Sequence, residues 1–156
     1  MHKEPSGWIF SNALQFYELA RPTLESPEKL QDQSIAVVCN LALCVELLLK
    51  CCDSGVKASP VQPGGLIGDA EIYSNVRGHD FEKIFNNLDP DIANKIATLF
   101  SRSAGREIRP LINECKDYFI SSRYSYEPNS NPSYNISSIQ RLAEGLIDSI
   151  KNWHSA

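Results

Sequence analysis

Apolar residues recur along most of this chain at intervals of three and four, the spacing of one face of an α-helix. The most regular run lies between Ile35 and Cys52, where apolar positions form two separate stripes. A helix that is apolar on two sides is expected inside a domain, because both sides need cover. The sequence therefore predicts a central helix over residues 35–52.

Shorter patterns of the same kind predict the helices that surround it. The first runs from Ser6 to about Ala20 and is expected to end at Arg21-Pro22, because proline has no N–H for the preceding turn. A later helix carries Arg123 near its end. We predict an all-α, up-and-down-like bundle of five to six helices. The later helices are expected to start after Asp80, Asp89, Gly105 and Ser137 or Ser138.

Glycine and proline concentrate in one segment. Five of the eight glycines and two prolines fall within residues 54–78, which is too long for an ordinary connection. We predict a long loop, either functional or mobile, in which Leu66-Ile67 and Glu71-Ile72-Tyr73 pair as a short hairpin. The glycines at 64–68 do not form a phosphate loop, because no Lys-Ser/Thr pair follows them.

The composition bounds the class of protein. The 156 residues are 42% apolar, which predicts a single folded domain over 1–156 and excludes disorder as the main state. Fifteen Lys and Arg residues against nineteen Asp and Glu residues give a net charge of −4. Any binding of a polyanion would therefore depend on a local basic patch.

The chain start and the apolar stretches favour a cytoplasmic protein. Residues 1–6 have no apolar run of the kind a secretion signal needs. The longest apolar stretch, residues 35–49, contains Asn40 and Glu46 and is shorter than the roughly 20 residues that span a bilayer. We expect this stretch to be a buried helix, with no membrane as partner.

Cysteine and histidine usage favours no cofactor and no metal. The cysteines form no CxxC pair and lie in apolar helical surroundings, so we interpret them as small buried side chains, with a disulfide or redox or metal chemistry as alternatives. The three histidines stand in unrelated places, without an HExxH spacing. A GxSxG motif is missing and no cysteine neighbours a histidine, so nucleophilic catalysis has no specific support. The cysteines are Cys39, Cys44, Cys51, Cys52 and Cys115.

Three polar groups stand out from this apolar background. Glu46 and Lys50, four residues apart in the central helix, form either an intrahelical ion pair or a polar pair that faces a cleft. Arg77-Gly78-His79-Asp80 precedes one predicted helix. Residues 123–127, Arg-Tyr-Ser-Tyr-Glu, follow another.

Together these segments resemble HEPN domains, small all-α proteins of prokaryotes and some eukaryotes that are named for nucleotide binding. The resemblance rests on Glu46-Leu47-Leu48-Leu49-Lys50, on residues 78–85 (Gly-His-Asp-Phe-Glu-Lys-Ile-Phe) and on Arg123-Tyr124, in that order, and it covers about residues 35–150. It implies a homodimer or a pairing with a related helical protein, often in defence, toxin–antitoxin or RNA-processing settings.

The resemblance also implies a test for ribonuclease activity. Many HEPN domains are metal-independent ribonucleases that carry an Arg and a His separated by four to six residues. In such a pair the imidazole moves protons and the guanidinium holds the phosphate. After Arg123 the corresponding positions are Pro128, Asn129 and Ser130, so the motif is absent. Catalysis would require His79 and Arg123 to meet in space.

Our main hypothesis is a non-catalytic, HEPN-like binding module that recognises a nucleotide, RNA or a partner protein. A rearranged ribonuclease with His79 and Arg123 as catalytic residues, and a purely structural interaction protein, are the alternatives. If these residues have structural roles only, His79 orders the start of its helix and Arg123 forms an ion pair with Glu127 or Glu46. The candidate ligand-binding residues are Glu46, Lys50, Arg77, His79, Asp80, Arg123, Tyr124 and Glu127.

The terminal helices favour dimerisation. The first and last predicted helices carry more apolar surface than one narrow face of each can hide. Formation of a homodimer would bury the remaining apolar surface. The large side chains concerned are Trp8, Phe10, Tyr17 and Trp153.

Overall fold

The computed structural model describes residues 3–58, 63–64, 70–128, 130 and 133–155. That part is mostly helical, with seven α-helices and one small antiparallel sheet, which confirms the predicted helical bundle. The helices are α1 (Gly7–Leu24), α2 (Pro27–Cys52), α3 (Phe81–Asn87), α4 (Pro90–Ala104), α5 (Ile108–Cys115), α6 (Tyr118–Arg123) and α7 (Ile136–Lys151). The strands are β1 (Ser54–Ala58) and β2 (Ala70–Ser74), and a short 3₁₀ turn covers Trp153–Ser155.

The helix α2 is the centre of the fold, as the two apolar stripes predict. It contacts α1, α3, α6 and α7, and Leu41, Leu48 and Leu49 on it are fully buried. The helical run starts at Pro27, where Ser26 caps it and proline suits the first helical position, but it is kinked at Gln33, whose backbone is not helical (φ −121°, ψ 20°). The central helix predicted from Ile35 is the part that follows this kink. By length and composition this 26-residue helix is able to cross a membrane, and 61% of its most apolar stretch is buried within the chain.

The helix α1 runs past Pro22, so the prediction that it ends there is wrong. Proline removes one hydrogen bond, but tertiary contacts hold the last turn. Thr23 is buried, and its hydroxyl donates to the side-chain oxygen of Gln33 at 3.3 Å. The backbone N–H of Glu25 still bonds to the carbonyl of Arg21.

The glycine-rich segment contains a hairpin in place of a plain loop. β1 pairs antiparallel with β2, and Val56 stands opposite Ile72. Glu71-Ile72-Tyr73 is therefore a strand, as predicted, but its partner is β1, and Leu66-Ile67 lies outside the described residues. The Tyr73 ring packs over Gly55, and a Cβ at this position would lie 2.6 Å from the Tyr73 hydroxyl, so a larger residue would displace that half-exposed ring.

Two further boundaries differ from the predicted ones. The single helix expected after Gly105, with Arg123 near its end, is divided at Lys116 and Asp117 into α5 and α6. The last helix is capped by Asn135, whose side chain accepts from the Ser138 N–H at 3.1 Å, so neither Ser137 nor Ser138 is the cap. An asparagine carbonyl and a serine hydroxyl cap equally well, and the sequence pattern alone did not separate them.

The cysteines are free, and burial makes most of them poor nucleophiles. Cys39 is half-buried and the other four are buried. Burial raises the pKa of the Cys44 and Cys115 thiols to about 12. These thiols remain protonated at neutral pH, which fits the prediction of small buried side chains.

One buried carboxylate joins three segments at the end of α2. The Asp53 side chain accepts from Lys3 Nζ and Asn75 Nδ2, both at 2.8 Å, and from the Asp89 N–H at 3.0 Å. Its backbone carbonyl accepts from the Asn75 N–H at 2.9 Å. Asp53 thereby ties the chain start, the hairpin and the α3–α4 connection to the central helix.

Candidate functional site

The polar centre of the candidate site is Glu46, on α2. Its side chain is only 6% exposed, and both carboxylate oxygens have partners. Oε1 accepts from Lys50 Nζ at 2.7 Å, one helical turn further along α2. Oε2 lies 2.9 Å from Nδ1 of His79. The ion pair expected from the spacing of Glu46 and Lys50 is therefore present, and it also holds a histidine from elsewhere in the chain.

A sharp turn before α3 brings His79 to this carboxylate. Gly78 adopts φ +98°, a conformation that other residues rarely take, and it turns the chain towards α2. Asp80 caps α3 by accepting from the Lys83 N–H at 3.0 Å, and Phe81 anchors the first turn in the core. Because a carboxylate only accepts, Nδ1 must carry the proton that is shared with Glu46. In the neutral imidazole, Nε2 then has a free lone pair.

The helix α6 adds an aromatic ring and a guanidinium next to His79. The Phe119 ring lies 5.2 Å from the His79 ring, centroid to centroid, at an angle of 45°. The Arg123 guanidinium carbon lies 5.0 Å from the centre of the same Phe119 ring and 5.5 Å from that of Tyr124. His79 and Arg123, far apart in the sequence, are thus brought to a single ring.

The guanidinium of Arg123 is exposed and available. Both oxygens of Glu46 are engaged by Lys50 and His79, and in the described part of the chain Arg123 makes no ion pair with Glu46 or Glu127. The structural ion pair of Arg123 with Glu127 or Glu46, given above as an alternative, is therefore not observed. Cation–π contacts with two rings restrain the group while its N–H donors stay free for a ligand.

The other candidate residues lie outside this contact network. Arg77 is exposed and makes no side-chain hydrogen bond or ion pair to any residue that the structure describes. Asp80 is used as the α3 cap. Glu127 faces a surface cavity that it shares with Tyr124, and Tyr126 is 78% exposed.

Phe119 is the site residue that sequence reasoning missed. Its position in an apolar row predicted a core residue, and it is indeed largely buried. The signal that singles it out is its spacing of four residues from Arg123, which places both on one helix face. Only the position of His79 in space shows that Phe119 lies between two polar groups.

The charges at the site favour an anion. Glu46 supplies one negative charge, and Lys50 and Arg123 supply two positive ones, so the group is net positive even with His79 neutral. The favourable charge for a phosphate is local to Arg123, because Asp80 neighbours His79 and Glu127 shares a cavity with Tyr124. No three His, Cys, Asp or Glu side chains of the described residues are close enough together to hold a metal ion.

Comparison of the chain with protein-family models, with curated proteins and with solved structures finds no match. The resemblance to HEPN domains therefore stays a prediction from the sequence motifs. What the site can do has to be argued from its own geometry.

Proposed function

We propose that this protein is a HEPN-like, non-catalytic binding module of the cytoplasm that holds the phosphate of a nucleotide or of RNA. One observation carries the proposal: Arg123 presents an exposed guanidinium against the rings of Phe119 and Tyr124, without a carboxylate partner among the described residues. A planar guanidinium matches two phosphate oxygens at once. Restraint by the rings lowers the entropy lost when it binds.

In this proposal Glu46 and Lys50 are positioning residues. The Lys50 side chain is only 17% exposed and its ammonium bonds to Glu46, so it is poorly placed to reach a ligand directly. Glu46 holds the His79 ring beside Phe119, and the His79 side chain is 47% exposed. The ligand would therefore meet Arg123 and the outer edge of His79.

The test is the affinity for a fluorescently labelled single-stranded RNA, measured by anisotropy. Arg123→Ala is expected to weaken binding by at least about tenfold, because a charge-assisted hydrogen bond to phosphate is lost. Arg21→Ala is the control, since Arg21 is an exposed arginine on α1 that pairs with Glu18. Equal affinities of the two variants would contradict the proposal.

A metal-independent ribonuclease is the second candidate, and one observation favours it. Glu46 holds Nδ1 of a half-exposed His79, which leaves Nε2 free to take the proton of a ribose 2′-hydroxyl. The 2′-oxygen would attack the adjacent phosphorus to form a 2′,3′-cyclic phosphate, and the P–O bond to the 5′-oxygen would break, with that oxygen taking a proton from water. Arg123 would stabilise the charge on the phosphate. Labelled RNA with chelator present separates the candidates. Cleavage that disappears in both His79→Ala and Arg123→Ala indicates the enzyme, and its absence in the wild type excludes it.

We further propose that the chain acts as a homodimer or pairs with a related helical protein. Trp8 is 67% exposed on α1, and it lines a surface groove together with Ile72 of β2. Trp153, which was expected to contribute, is buried instead, with Lys95 Nζ 4.6 Å from its ring centre. Light scattering at the monomer mass of 17.4 kDa would contradict dimerisation.

A further inference from the structure

A second cavity adjoins the Arg123 site. It lies along α6 and the segment that follows, and its volume of about 480 Å³ is within the usual range for ligand pockets. Tyr124 contributes to both sites, because it lines this cavity and its ring contacts the Arg123 guanidinium. A ligand with its phosphate on Arg123 would therefore extend naturally into the cavity.

The walls of this cavity are aromatic and rigid. Tyr118, Tyr124 and Tyr134 line it, but Tyr118 is only 6% exposed, and its ring packs edge to face against that of Tyr134 with centroids 5.1 Å apart. The Tyr134 hydroxyl donates to Ser121 Oγ at 3.2 Å, and the Tyr118 hydroxyl accepts from the Asn135 N–H at 3.0 Å. The rings that a flat group such as a nucleobase could meet are therefore those of Tyr124 and Tyr134, with Tyr118 behind Tyr134.

The polar lining distinguishes this cavity from the Arg123 site. Asp117 and Glu127 are exposed carboxylates at its edge, and its lining includes serine hydroxyls. Carboxylates accept hydrogen bonds from vicinal sugar hydroxyls, as they do for ribose in dinucleotide sites. They would repel a second phosphate. The lining therefore suits the uncharged nucleoside part of a ligand.

We propose that this cavity is the ribonucleoside subsite of the binding module: a base lies against the tyrosine rings, Asp117 and Glu127 accept from the ribose hydroxyls, and the attached phosphate lies on Arg123. The inference rests on the proposed function and names its ligand class, a ribonucleotide unit, free or within RNA. Because deoxyribose lacks the 2′-hydroxyl, the subsite discriminates against DNA.

The experiment compares labelled single-stranded RNA and DNA of one sequence. The wild type is expected to bind RNA at least about fivefold more tightly, which corresponds to one hydrogen bond. The double variant Asp117→Ala/Glu127→Ala should bring this ratio close to one. Asp117 makes no side-chain capping bond, so alanine removes only the interaction of its charge with the start of α6. Glu114→Ala, on the exposed face of α5, is the charge control and should keep the ratio.

The ratio of RNA affinity to DNA affinity separates the proposal of phosphate binding at Arg123 from the proposal of the ribonucleoside subsite. Loss of negative charge alone would strengthen binding of RNA and DNA equally, so only a changed ratio supports the subsite. Equal affinities of the wild type for RNA and DNA, or a ratio that survives in the double variant, would overturn the subsite. An effect of Arg123→Ala on both nucleic acids would still support phosphate binding in that case. If neither nucleic acid binds and a free ribonucleoside monophosphate does not bind either, both proposals fail.

A competition assay with the wild-type protein tests the subsite without relying on variants, which could fail to fold. A 5′-ribonucleoside monophosphate should displace labelled RNA at lower concentration than its 2′-deoxy counterpart if a free nucleotide is the ligand. If only oligonucleotides show the preference for ribose, the ligand is an RNA chain, and the subsite is supported in either case. If neither the oligonucleotides nor the monophosphates show a preference for ribose, the subsite proposal is overturned.

Discussion

Replacing Glu46 by glutamine is expected to lower the free energy of unfolding by about 3 kcal/mol. The carboxylate is almost fully buried and holds both Lys50, at 2.7 Å, and His79, at 2.9 Å. An amide has one acceptor oxygen and no charge, so the mostly buried Lys50 ammonium loses its counter-ion. Breaking a buried pair from one side is costly, because the remaining charge is left without a partner.

The measurement is urea unfolding, with Glu82→Gln as the matched control. Glu82 also pairs with a lysine, Lys116, at 3.0 Å, but both side chains are more than 40% exposed. Water screens such a pair, so the control should cost less than about 1 kcal/mol. If the two substitutions lower the free energy of unfolding equally, the buried Glu46 network does not stabilise the fold more than an exposed ion pair does.

The same variants separate binding from a purely structural role. If the cluster serves only to stabilise the fold, then substitutions at Glu46 and Arg123 change the free energy of unfolding and leave RNA affinity unchanged. If the binding proposal is right, Arg123→Ala reduces RNA affinity with little loss of stability, because its guanidinium is exposed. Unfolding and anisotropy measured on one preparation of each variant decide between these outcomes.

The second large effect is expected at Asp53, where asparagine should cost about 2–3 kcal/mol. An asparagine cannot accept from Lys3, Asn75 and the Asp89 N–H together, so at least one hydrogen bond to this buried side chain is lost. Asp32→Asn, an exposed position on α2, is the control and should be close to neutral. Equal unfolding midpoints for the two variants would contradict the role of Asp53.

Asp53 also predicts how stability depends on pH. Burial by itself would raise the pKa of Asp53, but the hydrogen bonds from Lys3, Asn75 and the Asp89 N–H outweigh it and hold the pKa below its ordinary value. The folded state therefore favours the ionised form, and this stabilisation is full above the unfolded pKa of about 3.9. It is lost as the pH falls through the folded pKa. Below about pH 4 the wild type should lose stability more steeply than Asp53→Asn.

The helical content could be predicted from the sequence, because burial of one helix face imposes a local periodicity. The two stripes of α2 indicated its central position for that reason. Helix ends depend on contacts that the pattern does not contain. Pro22 stays inside α1, where Thr23 is buried and bonded to Gln33. The strand β1 was missed because its paired residues in β2 lie 12 to 20 positions further along the chain.

The polar residues were visible in the sequence, since glutamate, histidine and arginine are conspicuous among apolar helices, and the pairing of Glu46 with Lys50 follows from helix geometry. Their grouping was decided by tertiary structure alone. Glu46 and His79 are 33 positions apart, and only the turn at Gly78 and the packing of α3 and α6 on α2 bring His79, Phe119 and Arg123 together. Local periodicity encodes which face of each helix is buried, whereas the neighbours of a polar side chain depend on how several helices pack at once.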